Sequence, residues 1–272
     1  MEDTDYALGR TSAEYDRLIE QAELLRPITE RMLGAAEICA NMHVVDVGCG
    51  VGDVSFLVSA LVGPRGHVVG IDLDRRAIQI AKKRRDEQRL TNVTFIEGDA
   101  RTIETGQLFD AAVGRMVLMY MNDPTVALRL IADRVRPGGV VAFQEWVGHL
   151  PSAVNQPVLA SLQHLLSTTF ARSGARLDIG VELCWRMLDA GLEPAPQPLA
   201  EIAVDGKHGA LVYRRWLLIA RSLLPKIVEY GLATEKEVLH IIEELHKELL
   251  GSRGLAPLSW LMIGQWAHKQ IS

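Results

Sequence analysis

The stretch VVDVGCGVGDVS, residues 44–55, decides the fold. A short β-branched run ends at Val47, glycines follow at positions 48, 50 and 52, and an apolar-periodic helical segment begins at once. Glycine lets the chain turn tightly and lets a ligand approach the backbone, while a helix start offers unpaired N–H groups and the positive end of a dipole. Strand, glycine turn and helix in that order imply a site for a nucleotide-like molecule. The dinucleotide pattern G-x-G-x-x-G fits poorly, because Gly52 comes one place early and Asp53 stands where the third glycine belongs. In the next strand-like run, HVVGIDLD, Asp72 lies 24 residues beyond Gly48. A carboxylate there accepts hydrogen bonds from both ribose hydroxyls, a spacing that suits either adenosine cofactor.

Outward from this turn, HVVDV, HVVGIDL, NVTFIEG, FDAAVG and VVAFQEW read as strands, each too short for a helix. Helical periodicity fills 53–61, 75–89 and 124–135, the last entered by Asp123-Pro124, a capping residue before a first-turn proline. Such alternation is buried most simply as an α/β parallel sheet with helices on both faces and ligands beyond the strands' carboxyl ends. Before the sheet, Thr11-Ser12-Ala13-Glu14 has capping-box spacing and opens a helix to about Arg26 along the stripe Tyr15, Leu18, Ile19, Ala22 and Leu25. Pro27 predicts a restart into a second helix over 28–38. After Trp146, helices are expected over 155–172 and 178–190 and a strand over 198–204. A helical insertion is expected over 205–254, where a capping box at Thr234–Glu237 precedes the stripe Val238, Ile241, Ile242, Leu245 and Leu249. The final SWLMIGQWAH predicts an edge strand.

The 272 residues are 48% hydrophobic and 23% charged, ordinary globular usage that favours one enlarged domain over two small ones. The formal net charge is −5, and the dense basic run Lys82–Arg85 is followed by Asp86 and Glu87 on a helix, which reads as a solvated face and not a nucleic-acid patch. The opening MEDTDYALGR has no basic stretch leading into an apolar one, so neither export nor membrane insertion is signalled. Scattered Cys39, Cys49 and Cys184 suit a reducing cytoplasm. No H-E-x-x-H or paired C-x-x-C spacing points to zinc, while magnesium stays open.

With these residues in hand, the chain resembles the class I S-adenosylmethionine (SAM) dependent methyltransferases. The likeness rests on residues 43–146, where GDA at 98–100, FDAAVGRMVLMYMNDP and RPGGVVAFQEW follow in the family's order. It implies a doubly wound, seven-stranded, mostly parallel sheet with N-terminal helices and helical lid insertions, SAM as cofactor and S-adenosylhomocysteine as product. By that resemblance Asp46 orients the turn of Gly48, Gly50 and Gly52 and meets the methionine ammonium group, and Asp72 holds the ribose. Leu73 packs on the adenine, Asp99 receives its amino group, Ala100 gives a backbone contact, and Gly114 and Arg115 meet the methionine part. The outer segments YALGR, EYDRL and the late insertion are similar to small-molecule methyltransferases of the actinobacterial natural-product type, whose first helix closes over the cofactor. Tyr6, Arg17 and above all Gln21 are then expected contacts. The implied division is 1–38 as a closing helical segment, 39–146 as the SAM-binding core, and 147–272 as the rest of the sheet with lid insertions, in one compact domain. Singly, each acid also reads as a loop carboxylate capping a helix.

Glu145, Trp146 and His149 follow the fifth strand and are expected on the acceptor side, with Tyr120 after strand four and His208 in the insertion. Glu145, His149 and Tyr120 are the catalytic candidates. Glu145 alternatively caps a neighbouring helix or pairs with Arg115, and Arg115 either grips a carboxylate through paired hydrogen bonds or sits in a buried ion pair. Trp185, Met187, Tyr213, Trp216 and Leu217 suffice to roof an apolar pocket, which favours a small hydrophobic acceptor such as a secondary metabolite. The expected partner is that small molecule, with no nucleic acid and no membrane, and a homodimer left open. Three functions remain: methyl transfer to an O, N or C atom, SAM-bound non-methylating chemistry such as cyclisation, and NAD-dependent oxidoreduction.

Overall fold

The computed structural model describes residues 8–102, 106–148, 156–204, 210–251 and 258–270. Strands β1 (His43–Val47), β2 (His67–Asp72), β3 (Val93–Glu97), β4 (Phe109–Arg115) and β5 (Val135–Val147) are parallel, in the order β3-β2-β1-β4-β5. Val44 of β1 stands between Val68 and Ala111, and the central strands are near-continuous apolar runs because both faces are covered. Helices α2 (Asp53–Val62), α3 (Arg75–Glu87) and α4 (Pro124–Ala132) form the crossovers. The chain moves outward through β2 and β3 and then returns to pair β4 with β1. The order therefore reverses between β1 and β4, where a doubly wound sheet leaves a crevice for ligands.

Beyond β5 lies β8 (Leu258–His268), antiparallel to it from Val140 opposite His268 to Val147 opposite Leu261. The far edge of β8 carries β7 (Leu199–Val204) and the two-residue β6 (Glu193–Pro194) end to end, so eight strands among the described residues fill seven ranks. The SWLMIGQWAH segment is thus an interior strand and not an edge. Met262, Ile263, Gln265 and Ala267 are all buried, and a run apolar on both faces belongs inside a sheet. Its late place in the chain misled because order in sequence does not set order in space.

Helix α1 (Ser12–Ala35) also departs from expectation, running unbroken through Pro27. A proline inside a helix costs about 3 kcal/mol. Leu25 and Ile28 flank it, Met32 and Leu33 follow within the same helix, and all four are buried. Burial of a full leucine or isoleucine side chain is worth about 1.5–3 kcal/mol, so a shared apolar stripe on both sides outweighs the break. Thr11 caps this helix as its spacing predicts, its hydroxyl accepting the Glu14 N–H at 3.2 Å.

The later helices are α5 (Pro157–Arg172), α6 (Ile179–Asp189), α7 (Ala210–Glu229) and α8 (Glu235–Gly251). The capping box before α8 is reciprocal: Glu237 N–H reaches the Thr234 hydroxyl at 3.3 Å, and the Glu237 carboxylate accepts the Thr234 N–H at 2.7 Å. Val238, Ile242 and Leu245 are buried where α8 packs on α5 and α7; the Leu249 side chain lies outside the described residues. Among the described residues no helix is long and apolar enough to cross a membrane.

Candidate active site

The carboxyl ends of the parallel strands open onto a cavity of about 680 Å³. Its first half is made by the segments after β1, β2 and β3, including Gly48, Gly50, Asp72, Leu73, Asp99 and Ala100. The second half is made by Met116 to Met121 after β4, excepting Leu118, together with Trp146, Phe170 of α5 and Ile219 of α7. Helix α1 adds Tyr15, Arg17, Leu18 and Gln21, and Arg115 ends β4 on the same wall.

The glycine turn is held by Cys49 N–H to Ile71 carbonyl (3.0 Å) and Gly52 N–H to Cys49 carbonyl (2.9 Å). Gly50 has φ of +52°, and a Cβ built on it meets nothing within 4 Å, so this backbone lies bare toward the cavity. Its N–H donates to Asp72 Oδ2 at 2.8 Å, while Asp74 N–H donates to Asp72 Oδ1 at 2.8 Å. Turn and acid thus fix one another, and each carboxylate oxygen keeps a lone pair for a ligand hydroxyl. Burial pushes the Asp72 pKa up, against those two backbone hydrogen bonds. Asp99 also lines the cavity but is gripped by Arg101, Nη2 to Oδ2 at 2.7 Å and Nε to Oδ1 at 2.9 Å. Burial alone would raise its pKa; the Arg101 hydrogen bonds outweigh that and hold it below the usual carboxylate range.

Several expected contacts stand behind the wall. Asp46 is buried and accepts the Ser55 hydroxyl at 2.6 Å, tying the end of β1 to α2, and burial raises its pKa to about 7. A Cβ on Gly52 would come within 2.8 Å of Phe95, and one on Gly114 within 2.4 Å of Phe143, so close packing explains both glycines. Glu145 is fully buried, and its Oε1 accepts the N–H groups of Val117 (3.0 Å) and Leu118 (2.9 Å), pinning the 3₁₀ turn Leu118–Tyr120. That is the capping alternative, with burial raising its pKa to about 7. Tyr6, His149 and His208 lie outside the described residues.

The expected roof is also rearranged. Trp185 is 70% exposed on the outer side of α6, Met187 and Trp216 are buried off the cavity wall, and Tyr213 and Leu217 pack against the core instead. Phe170 and Ile219 take their place, with Trp146 and Phe170 edge to face at 5.7 Å. Among the other named candidates, Gln21, Arg115 and Tyr120 reach the wall. Arg115 Nη1 donates to the Thr29 hydroxyl at 3.0 Å, and burial lowers its pKa. Tyr120 has its pKa driven well up by burial, which keeps it a phenol.

Two features escaped the sequence reading. The Tyr15 hydroxyl donates to Asp74 Oδ2 at 2.7 Å, the Arg76 guanidinium lies 5.5 Å from the Tyr15 ring centre, and Arg76 Nη2 reaches Ser12 Oγ at 2.7 Å. This latch ties α1 to the start of α3 beside Asp72, and its only signal was the second acid of Asp72-Leu73-Asp74. Met116 adopts φ of +54°, a left-handed conformation rare for a residue with a side chain, and its sulfur accepts the Gln21 amide at 3.4 Å. Nothing in the sequence marks it. Gln21 in turn accepts from Arg17, which forms a buried ion pair with Glu14 (Nη2 to Oε1, 2.6 Å).

Comparison with known proteins matches residues 38–181 to the family described as Methyltransferase domain. Aklanonic acid methyltransferase DauC of Streptomyces sp. (strain C5) is 32% identical over 150 residues, 53% of this chain and 67% of that protein. Demethylmenaquinone methyltransferase of Lactococcus lactis is 31% identical over 141 residues, 49% of this chain and 54% of that protein, so the match spans about half to two thirds of these relatives. Among solved structures, the [4+2]-cyclase SpnF shares the fold with a TM-score of 0.56 at 18% identity, covering 90% of this chain and 82% of its own. With more than half of its length matched and the sheet order described above, the chain belongs to the methyltransferase domain family and is a class I, SAM-dependent methyltransferase.

Proposed function

We propose that the cavity holds SAM against the ends of β1 to β3 and a flat, apolar small molecule against the ends of β4 and β5, and that the protein moves the methyl group to an O, N or C atom of that acceptor. One observation carries this reading: a single cavity whose two halves differ in chemistry. On one side are the bare backbone of Gly50, with Gly48 beside it on the wall, and the Asp72 carboxylate with lone pairs to spare. On the other are Met116, Met119, Met121, Trp146 and Phe170. The volume lies well inside the range of roughly 300–1,000 Å³ typical of small-molecule pockets.

The residues present fit the cofactor. Asp72 would take the ribose hydroxyls, Leu73 and Ala100 the adenine, and Gly48, Gly50 and Arg115 the amino-acid end, with Gln21 and the Tyr15–Asp74 latch closing α1 over it. SAM supplies a methyl group already activated on a sulfonium, so the chain's main task is alignment. The apolar half excludes water and orients the acceptor face, and polarisable thioethers beside an aromatic pair suit a planar ring system. Tyr120 stays protonated and serves as a hydrogen-bond donor, not as a base. Two relatives whose names specify aklanonic acid and demethylmenaquinone support a ring-bearing acceptor. The formal charge of −5 speaks against nucleic acid, and three free cysteines support a cytoplasmic setting.

Calorimetry with S-adenosylhomocysteine, followed by labelled-methyl assays on polycyclic phenols, quinols and aromatic acids, tests the reading. Binding at one site per chain and label on a ring-bearing product are expected. Consumption of an acceptor with the label left on SAM would favour the cyclase-type alternative, and indifference to S-adenosylhomocysteine would overturn the assignment.

A further inference from the structure

Away from the cavity, α6 leaves an apolar stripe in solvent. Val181, Trp185 and Leu188 are 57%, 70% and 45% exposed, and their spacing of four and three residues sets them on one helix face. Leu183 and Met187 on the other face are buried, where α6 packs on β5 and β8. An exposed tryptophan between two aliphatic side chains has the composition of an interface centre and not of a solvated surface.

We propose that this face is a two-fold interface between copies of this chain, with α6 antiparallel to the same helix of the partner subunit. The flanking charges select that occupant and that register. Glu182 and Arg186 lie on the same flank of the stripe, within one turn of each other and partly exposed, with Nη2 to Oε2 at 2.7 Å. Antiparallel two-fold pairing sets each flank against the same flank of the copy. With the axis at Cys184, Glu182 meets Arg186 of the partner subunit, and Arg186 meets Glu182 of the partner subunit. Val181 then packs toward Leu188 of the partner subunit, and Trp185 lies near the axis. Cys184 occupies the other flank, is partly exposed and comes opposite Cys184 of the partner subunit. A parallel pairing would set the charged flank against the cysteine-bearing one and give the Glu182–Arg186 pair no charged counterpart across the interface.

Light scattering on the full chain reads this directly. The expected mass is about 60 kDa, twice the 30.0 kDa of one chain. Trp185→Glu should weaken association about thirtyfold or more while leaving affinity for S-adenosylhomocysteine unchanged, which controls for folding. Glu182→Arg and Arg186→Glu should each weaken it alone, and mixing the two variants should restore association as a heterodimer. In a Cys39→Ser background, mild oxidation should link two chains through Cys184. A 30 kDa species at every concentration, a dimer indifferent to Trp185→Glu, or a mixture no stronger than its components would overturn the proposal. So would a monomer whose tryptophan emission moves to the blue on adding phosphatidylcholine vesicles in the parent chain but not in Trp185→Glu, which would assign the face to a membrane surface.

Discussion

The two halves of the cavity are made of different material. Around β1 to β3 the binding groups are backbone and short carboxylates within a few residues of a strand end, the acids fixed by local hydrogen bonds such as Asp74 N–H to Asp72 and Arg101 N–H to Asp99. Around β4 and β5 the wall is side chains drawn from the segment after β4, the end of β5, α5 and α7, held together by packing, and α1 spans both halves. The first half is a property of contiguous sequence and the second of tertiary assembly. Substitutions in one should therefore leave the other nearly untouched.

The largest effect is expected from Gly50→Val. A branched side chain in a left-handed conformation that points into the cavity should cost more than about a hundredfold in affinity for S-adenosylhomocysteine by calorimetry. Retained affinity would break the claim that bare backbone forms the first half. Asp72→Ala should weaken the same binding by about 1–3 kcal/mol through lost hydrogen bonds to a charged group. Phe170→Leu sharpens the contrast from the other side. It removes the edge-to-face contact with Trp146, worth about 0.5–1.5 kcal/mol, and should raise the KM for a ring-bearing acceptor severalfold with S-adenosylhomocysteine affinity unchanged.

The smallest effect concerns the turn between the halves. The folded pKa of Glu145, about 7, stands above its ordinary 4.5, so the unfolded chain releases this proton first as pH rises. The stability conferred is fully present below about pH 4.5 and is lost as pH climbs through 7. Glu145→Gln keeps an oxygen for the Val117 and Leu118 N–H groups and has no proton to lose. Its Tm, followed from pH 5 to pH 8, should fall about 2–4 °C less than that of the parent chain. Parallel profiles would show that the carboxyl is not buried as described.

This contrast also explains what could be read in advance. The five parallel strands, their helices and the Gly48–Asp72 geometry follow from period and turn chemistry, both local. Glu145 and Trp185 misled because a strand-end acid and an exposed tryptophan look the same in sequence as a base and a pocket roof. What separates them is where Leu118 and α6 settle, a matter of contacts far apart in the chain. Pro27 was misread for a related reason, since propensity is local and the burial of Leu25, Ile28, Met32 and Leu33 is not. Met116 carries no mark at all: its left-handed backbone sits at the join between β4 and the turn that follows it, a junction that no local pattern announces.

The placement of β8 bears on how the molecule is made. Its residues are synthesised after those of β6 and β7, yet they lie between those strands and β5. Until they emerge from the ribosome, β5 presents eight residues of unpaired backbone and β7 has no sheet to join. A nascent chain halted before residue 258 therefore carries a long apolar edge, the feature that invites pairing between chains. Sealing that seam is the step at which translation speed and chaperone access would matter most for the yield of this enzyme.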